Sequence, residues 1–204
     1  MTGDQLTTNE AVREKLLALV AEDARVRAEL AADGSLFQGY NARMREVHER
    51  NADALAKIID AHGWPGFAVA GADGAAAAWR IAQHAIGLPD FQRRCFQLLE
   101  EATARGDAAP KHVALLDDRI AFNERRPQKY GTQFDWDETG KMSPWRLDDP
   151  AAVDRRRAEL GMKSMAAQEA EVGAESDEWK EHAPKDWHAR QREIEEWARE
   201  VGWI

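Results

Sequence analysis

The stretch HGWPGFAVAGADGAAAAWRIAQHA, residues 62–85, decides how this chain folds. A loop rich in glycine and proline leads into a helix made largely of alanine, and small side chains allow helix backbones to approach one another closely. The same helix carries Trp79, Gln83 and His84, which have hydrogen-bonding groups. We therefore expect closely packed helices in this region, with polar side chains brought together near the end of the alanine-rich helix.

Composition and charge limit the class of protein. The chain has 204 residues and a net charge of -9, and it lacks the run of about 20 apolar residues that would span a bilayer. The N-terminal residues have neither the basic start nor the apolar core of a secretion signal, and the single cysteine, Cys95, cannot form an internal disulfide. These features predict a soluble, acidic, cytoplasmic protein. They argue against a membrane partner, and against nucleic acid, whose phosphates require a basic surface.

Helical periodicity recurs along the chain, whereas strand alternation does not, and this predicts an all-α protein built as a compact multi-helix bundle. Helix boundaries are predicted from capping residues, from prolines at the first turn and from glycines at the end. The predicted helices follow the capping pair Thr7 and Glu10 as far as Asp33, run from Asn41 to Ala61, run from an Asp73 N-cap to Ala85, begin at Pro89, and run from Pro110 to a stop before Pro127.

The remainder of the chain has a different character. A long ordered loop is expected from Gln128 to Pro144, with a short hairpin at Thr139 and Gly140. A short helix should open at Asp149 and Pro150 and reach Leu160. Residues 166–182 have the composition of a weakly structured linker, and an amphipathic helix beginning near Trp187 follows. The predicted domains are a helical domain over residues 1–165 and a second part, 166–204, consisting of the linker and the appended C-terminal helix.

Several short motifs carry a resemblance. The succession of HGWPG at 62–66, WRIAQH at 79–84 and PQKYGTQ at 127–133, with FQRRCFQLLEEA and LLDDRI between them, is similar to a family of uncharacterised proteins from actinobacteria and proteobacteria. The resemblance covers about residues 41–160. It implies that the protein is bacterial and contains a domain of unknown function, and it implies no activity.

Two residues are predicted to be catalytic. His84 lies near the end of the small-residue helix, where closely packed helices leave a polar pocket, and histidine is the side chain suited to proton transfer near neutral pH. Asp118 lies on the same face of the fifth predicted helix as Leu115 and Phe122. In this hypothesis Asp118 orients or charges His84 across the bundle. The alternative is that Asp118 forms a structural ion pair between helices.

The remaining candidate residues have neutral polar groups. The loop offers amide, phenol and hydroxyl groups around Gly131, a combination suited to hydrogen-bonding a small polar ligand, although the same groups can also satisfy helix ends and backbone. The residues predicted to bind substrate are His48, Trp79, Gln83, Gln128, Tyr130, Thr132 and Gln133.

A metal site is a separate possibility. His48, His84 and Asp118 come from three predicted helices and would make a two-histidine, one-carboxylate set suited to iron, manganese or zinc. Sequence spacing alone cannot show that these three side chains converge. The sequence therefore assigns no metal ligand and identifies no cofactor.

Two functions from different classes are compatible with the sequence. The first is a small-molecule binding protein or hydrolase-like enzyme that uses the His84 and Asp118 pair with the polar loop; whether the chain is an enzyme stays open. The second is a non-catalytic regulatory or immunity-type protein that binds a partner, or a second copy of itself, through tryptophans on the C-terminal helix. The tryptophans proposed as exposed anchors are Trp179, Trp187, Trp197 and Trp203.

Overall fold

The computed structural model describes residues 8–37, 39–177 and 180–204, and it confirms the all-α prediction. The chain forms two compact units, with the boundary between Val113 and Ala114. Within the described residues, eight helices accompany one two-stranded sheet. No helix in these ranges has the length and the apolar character needed to cross a membrane.

The first unit is built from the N-terminal helices of the chain. Its helices are α1 Glu10–Ala32, α2 Ala42–His62, α3 Phe67–His84 and α4 Pro89–Ala104, and α5 Pro110–Asn123 contains the boundary with the second unit. The predicted limits of the second, fourth and fifth helices agree with these to within a few residues. The predicted capping residue Thr7 lies outside the described residues, and the Asn9 side chain caps α1 by accepting from the Val12 amide at 3.2 Å.

Helix α1 packs against both α2 and α3, and α2 also packs against α3. The close approach expected of the alanine-rich helix is present at Gly74, where an added Cβ would lie 3.3 Å from Arg13 Cγ of α1. Val26 and Leu30 of α1 pack with Met44 and Val47 of α2 in one buried cluster. These contacts hold three helices side by side, so polar residues on their facing surfaces must meet one another.

The start of α3 differs from the prediction. A helical turn begins at Phe67 and ends in a kink at Gly71, where φ is 67°, and the regular helix beyond this kink begins close to the predicted Asp73. Asp107 caps this earlier start: its carbonyl accepts from the Phe67 amide at 2.8 Å, and its carboxylate accepts from the Ala68 amide at 2.7 Å. Because the cap comes from a residue distant in sequence, local sequence signals did not reveal it.

The second unit contains the predicted hairpin and three further helices. Strands β1 Phe134–Trp136 and β2 Met142–Pro144 pair antiparallel across the Thr139–Gly140 turn, which confirms the hairpin. The helices are α6 Val153–Glu159, α7 Met165–Asp177 and α8 Trp187–Val201. Helix α6 begins later than predicted, because residues 150–152 form a turn after Asp149.

The prediction of a weakly structured stretch at 166–182 is wrong for most of its length. Residues Met165–Asp177 form α7, and Lys180–His182 form a 3-10 turn. The Asp154 carboxylate accepts from the Met165 amide at 2.7 Å, so α6 supports the first turn of α7. Alanine and glutamate have high helix propensity, and this support allows the propensity of the segment to be expressed.

Four C-terminal tryptophans were predicted to be exposed anchors, and the three that lie within the described residues are buried or half-buried. Trp203 is buried, with only 3% of its surface exposed. Trp187 and Trp197 are half-buried, and Trp187 Nε1 donates to the Trp136 carbonyl at 2.7 Å. Trp179 lies outside the described residues. Helix α8 therefore turns Trp187 onto the hairpin of its own unit.

We expect Gly66→Ala to destabilise the protein by about 1–3 kcal/mol through overpacking. An added Cβ would lie 2.3 Å from both the Asp107 carbonyl oxygen and Oδ2, although φ at Gly66 is -77° and would accept alanine. Urea unfolding followed by circular dichroism measures the effect. The control is Gly173→Ala, because Gly173 in α7 has nothing within 4 Å of an added Cβ. Equal stability of Gly66→Ala and wild type would contradict the cap geometry.

Candidate functional site

Three ionisable side chains meet where α1, α2 and α3 face one another. Asp23 of α1 presents Oδ2 to two imidazoles: His48 Nε2 of α2 lies 3.2 Å away, and His84 Nδ1 of α3 lies 3.0 Å away. The two imidazole ring centroids are 5.3 Å apart. The Asp23 and His48 side chains are 7% and 10% exposed, whereas His84 is 30% exposed. The cluster is therefore a buried group that solvent reaches on the His84 side.

The charge state of Asp23 follows from its neighbours. Burial alone would raise the pKa of its carboxyl, but hydrogen bonds with His48 and His84, and the charges of these residues, hold that pKa well below its usual range. Asp23 is thus a carboxylate at neutral pH. A buried carboxylate needs partners of this kind, because transferring an uncompensated charge from water into the interior costs a large free energy.

Tyr40 extends the cluster on the far side of His48. Its hydroxyl oxygen lies 2.9 Å from His48 Nδ1, and the two rings are stacked with centroids 5.7 Å apart. Burial raises the pKa of the Tyr40 phenol, and the charge of Glu49 raises it further. The phenol therefore stays protonated, and it fixes the orientation of the His48 ring through one nitrogen while the other nitrogen faces Asp23.

Two buried amide side chains donate hydrogen bonds to the helices that carry the cluster. Asn51 is 2% exposed and lies one turn after His48 on α2, and its Nδ2 donates at 3.1 Å to the carbonyl of Leu19, one turn before Asp23 on α1. Asn51 Oδ1 is buried and accepts no hydrogen bond within the described residues. Gln92 of α4 donates at 2.6 Å to the Ala82 carbonyl near the end of α3. These contacts position Asn51 beside the cluster and steady the end of the helix that carries His84.

Asp23, His48 and His84 could hold a metal ion, because one ligand atom from each lies within 4.8 Å of the others. The sequence had placed His48 and His84 in a possible metal set but had proposed Asp118 as the carboxylate. Asp23 was missed. A signal for it exists, since Leu16, Asp23 and Leu30 recur every seventh residue on α1 and all three are buried. A carboxylate at a core position of an apolar stripe predicts a buried partner.

Trp79 and Gln83, which the sequence predicted to bind substrate, lie in the first unit. Trp79 stacks on His112, with ring centroids 4.3 Å apart and planes 7° from parallel. The pKa of His112 falls to about 4, mainly because of burial and also because of the charges of Lys111 and Arg80. Gln83 is buried beside His84, and its carbonyl accepts from Gln92 at 3.3 Å. The substrate-binding role of Trp79 and Gln83 stays a prediction.

The backbone of the polar loop in the second unit is held by hydrogen bonds with buried side chains. The Asp118 carboxylate accepts from the amides of Lys129 at 2.8 Å, Tyr130 at 3.1 Å and Thr132 at 3.0 Å. Arg157, which is 1% exposed, donates to the Tyr130 carbonyl at 2.7 Å. One buried carboxylate and one buried guanidinium thus hold the donors and the acceptors of the same turn.

The glutamines of this loop have similar roles. Gln128 Nε2 donates to the carbonyls of Gln133 and Trp145, both at 2.9 Å, and Gln128 Oε1 accepts from the Gln133 amide at 2.8 Å. Gln133 Nε2 donates to Thr132 Oγ1 at 2.9 Å. These contacts satisfy buried backbone, as the structural alternative for the loop supposed. The ligand-binding role of the loop and the catalytic role of Asp118 stay predictions.

Comparison with known proteins gives one match. The model of a family of unknown function, DUF6624, matches residues 10–171 of this chain. This range includes α1 with Asp23 and contains the stretch from 41 to 160 on which the sequence resemblance rested. Neither the search of curated proteins nor the search of solved structures found a match.

We expect Asp118→Ala to destabilise the protein by about 2–4 kcal/mol, because it leaves several buried amides without an acceptor. Asp117→Ala is the matched control. The neighbouring Asp117 pairs with Lys129 Nζ at 2.8 Å, and the Lys129 side chain is 52% exposed, so this loss should stay below about 1 kcal/mol. Urea unfolding measures both variants. A small effect of Asp118→Ala, no larger than that of the control, would contradict the structural role of Asp118.

Stability should depend on pH through His112. Its pKa is about 4 in the folded protein and 6.5 ordinarily, so the unfolded chain takes up the proton first. The contribution of neutral His112 to the free energy of unfolding is fully present above pH 6.5. This contribution is lost as the pH falls towards 4, by up to about 3 kcal/mol. The unfolding free energy of wild type should therefore fall more steeply with decreasing pH over this range than that of His112→Gln. His62→Gln, at an exposed histidine, should keep the wild-type slope; parallel curves for wild type and His112→Gln would contradict the expectation.

Proposed function

The chain belongs to DUF6624, a family of unknown function, so its chemistry must be argued from its own side chains, and we propose that it is a hydrolase-like enzyme acting on a small polar molecule. The reaction centre of this proposal is the cluster of Asp23, His48 and His84. The observation that carries the proposal is the convergence of the two imidazoles on one carboxylate oxygen, at 3.2 Å and 3.0 Å.

The energetic cost of this arrangement supports a functional role. The positions of Asp23 and its neighbours Leu16 and Leu30 are equivalent on α1, and an apolar side chain at position 23 would continue the packed face. Apolar side chains of similar size often stabilise a protein more than a buried carboxylate paired with imidazoles does. Perturbed titratable groups with a specific charge partner are typical of reactive sites.

The chemistry follows from the three groups. Hydrolysis requires removal of a proton from water as its oxygen attacks the electrophilic carbon or phosphorus, and later return of a proton to the leaving group. Asp23 orients both imidazoles and balances positive charge in the cluster. His84 lies on the side that solvent reaches, so the substrate would approach there, which suits the acid/base role that the sequence predicts for His84.

The alternative, a protein-interaction role of the C-terminal tryptophans, has less support. Trp203 is buried, and Trp187 donates its indole hydrogen to Trp136 within the second unit. Anchor residues of an interface need an accessible ring that a partner can bury.

Asp23→Asn tests the proposed reaction centre. We would assay the purified protein against p-nitrophenyl acetate, p-nitrophenyl phosphate and bis-p-nitrophenyl phosphate, and we expect hydrolysis of at least one. Loss of the orienting carboxylate should reduce that rate by about 100-fold or more. The control is Asp53→Asn, whose carboxylate is exposed on α2 and pairs with Lys57 at 2.7 Å.

Circular dichroism and thermal unfolding establish that both variants are folded before the rates are compared. Equal rates for wild type and Asp23→Asn, or no turnover of any of the three compounds by the wild type, would contradict the proposal. A loss in Asp53→Asn equal to that in Asp23→Asn would contradict the assignment to this cluster.

A further inference from the structure

We infer that Asp23, His48 and His84 bind one divalent transition-metal ion, through Asp23 Oδ2, His48 Nε2 and His84 Nδ1. This inference rests on the proposed function for the identity of the reaction centre, and it names the cofactor of that centre. The three ligands come from three different helices, α1, α2 and α3, which pack against one another. The backbone thus arranges the donor atoms before any ion arrives.

The distances are compatible with an ion at this point. Donor atoms that lie about 2.0–2.2 Å from an ion are separated from one another by about 2.9–3.5 Å at octahedral or tetrahedral angles. The two measured separations from Asp23 Oδ2, 3.0 Å and 3.2 Å, lie in this range. Hydrogen bonds between an N–H group and an oxygen span about 2.7–3.2 Å, so the same spacing also accommodates the hydrogen bonds of the metal-free cluster. The two separations are therefore compatible with ligands around one shared ion.

The donor set selects the class of metal. Two imidazole nitrogens and one carboxylate oxygen suit zinc, iron, cobalt or manganese, whereas magnesium and calcium prefer oxygen ligands throughout. Three protein ligands also leave at least one coordination position for water, which is the arrangement of a catalytic site and not of a closed structural one. The partial exposure of His84, at 30%, provides a route for the ion and for a substrate.

Two neighbouring side chains complete the arrangement. With His48 Nε2 on the ion, the Nδ1–H group would donate to the Tyr40 hydroxyl oxygen, which lies 2.9 Å away. A ligand histidine is ordinarily held in this way through its second nitrogen, so Tyr40 is a positioning residue. Asn51 lies one turn after His48 on α2, and its buried Oδ1 accepts no hydrogen bond within the described residues.

The ion explains how the centre would activate water. A divalent metal held by Asp23, His48 and His84 would favour loss of a proton from a bound water, and the hydroxide would then attack an ester or phosphate. That proton would be released to solvent, the new bond would form to carbon or phosphorus, and the leaving group would depart with the electrons of the bond that breaks. Asp23 would neutralise part of the charge of the ion.

Metal titration of the full chain tests the inference. After treatment with EDTA and its removal, the protein is titrated with Zn²⁺ by calorimetry and with Co²⁺ by visible absorption, and Mg²⁺ serves as the oxygen-preferring comparison. We expect one Zn²⁺ or Co²⁺ per chain, d–d bands typical of mixed nitrogen and oxygen ligation, and no comparable binding of Mg²⁺. His48→Gln, His84→Gln and Asp23→Asn should each weaken Zn²⁺ binding at least tenfold.

His62→Gln is the matched control, because His62 is an exposed histidine on the same helix as His48. It should leave Zn²⁺ affinity unchanged. Tyr40→Phe should weaken Zn²⁺ affinity by about 10–100-fold, the range seen when the partner of a ligand histidine is removed. His84→Gln keeps the test open if the buried variants fail to fold, because His84 is the partly exposed ligand at the end of α3.

The outcomes separate this inference from the proposed function. Absence of stoichiometric Zn²⁺ and Co²⁺ binding by the wild type, or unchanged affinity in His84→Gln and Asp23→Asn, would overturn the metal site. If hydrolysis nevertheless depends on Asp23, the proposed function stands without a metal. Stoichiometric metal binding without turnover of the test esters has the opposite meaning: the metal site stands and the hydrolase proposal fails.

Discussion

The buried carboxylate of Asp23 is the constraint around which the first unit is organised. A carboxylate inside a helical core must be compensated, and here the compensation comes from imidazoles on two other helices, at 3.0 Å and 3.2 Å. The register of α1 against α2 and α3 therefore has to satisfy charge as well as shape. The small residues of α3 make this possible, because only a close approach of the backbones brings side chains of moderate length together.

The second unit uses buried charge for a different purpose. Asp118 and Arg157 bind the backbone of one turn, the carboxylate through amides and the guanidinium through carbonyls. Their partners are peptide groups that would otherwise be buried without hydrogen bonds, so these two residues fix a loop conformation. A buried aspartate is thus not by itself a sign of chemistry. Asp23 differs because its partners are imidazoles, and one of them is partly exposed.

Much of the helical framework could be predicted from local signals. Asn41 and Gly63 bound α2 and Pro89 opens α4, because capping groups and the fixed φ of proline act within a few residues. The failures occurred where support comes from a distance. Asp107 caps α3 from far along the chain, and Asp154 supports the start of α7, so neither boundary was visible in the adjacent sequence.

The sequence by itself determined the all-α class, most helix limits, the hairpin and the candidacy of His48 and His84, because these depend on periodicity, capping and side-chain chemistry. Only the tertiary structure decided which carboxylate joins the histidines. It paired them with Asp23, and it gave Asp118 to a loop backbone and Trp203 to the interior. The physical reason is that a buried polar group takes its partner from whichever helix packs against it, and helix packing depends on contacts between residues far apart in the chain.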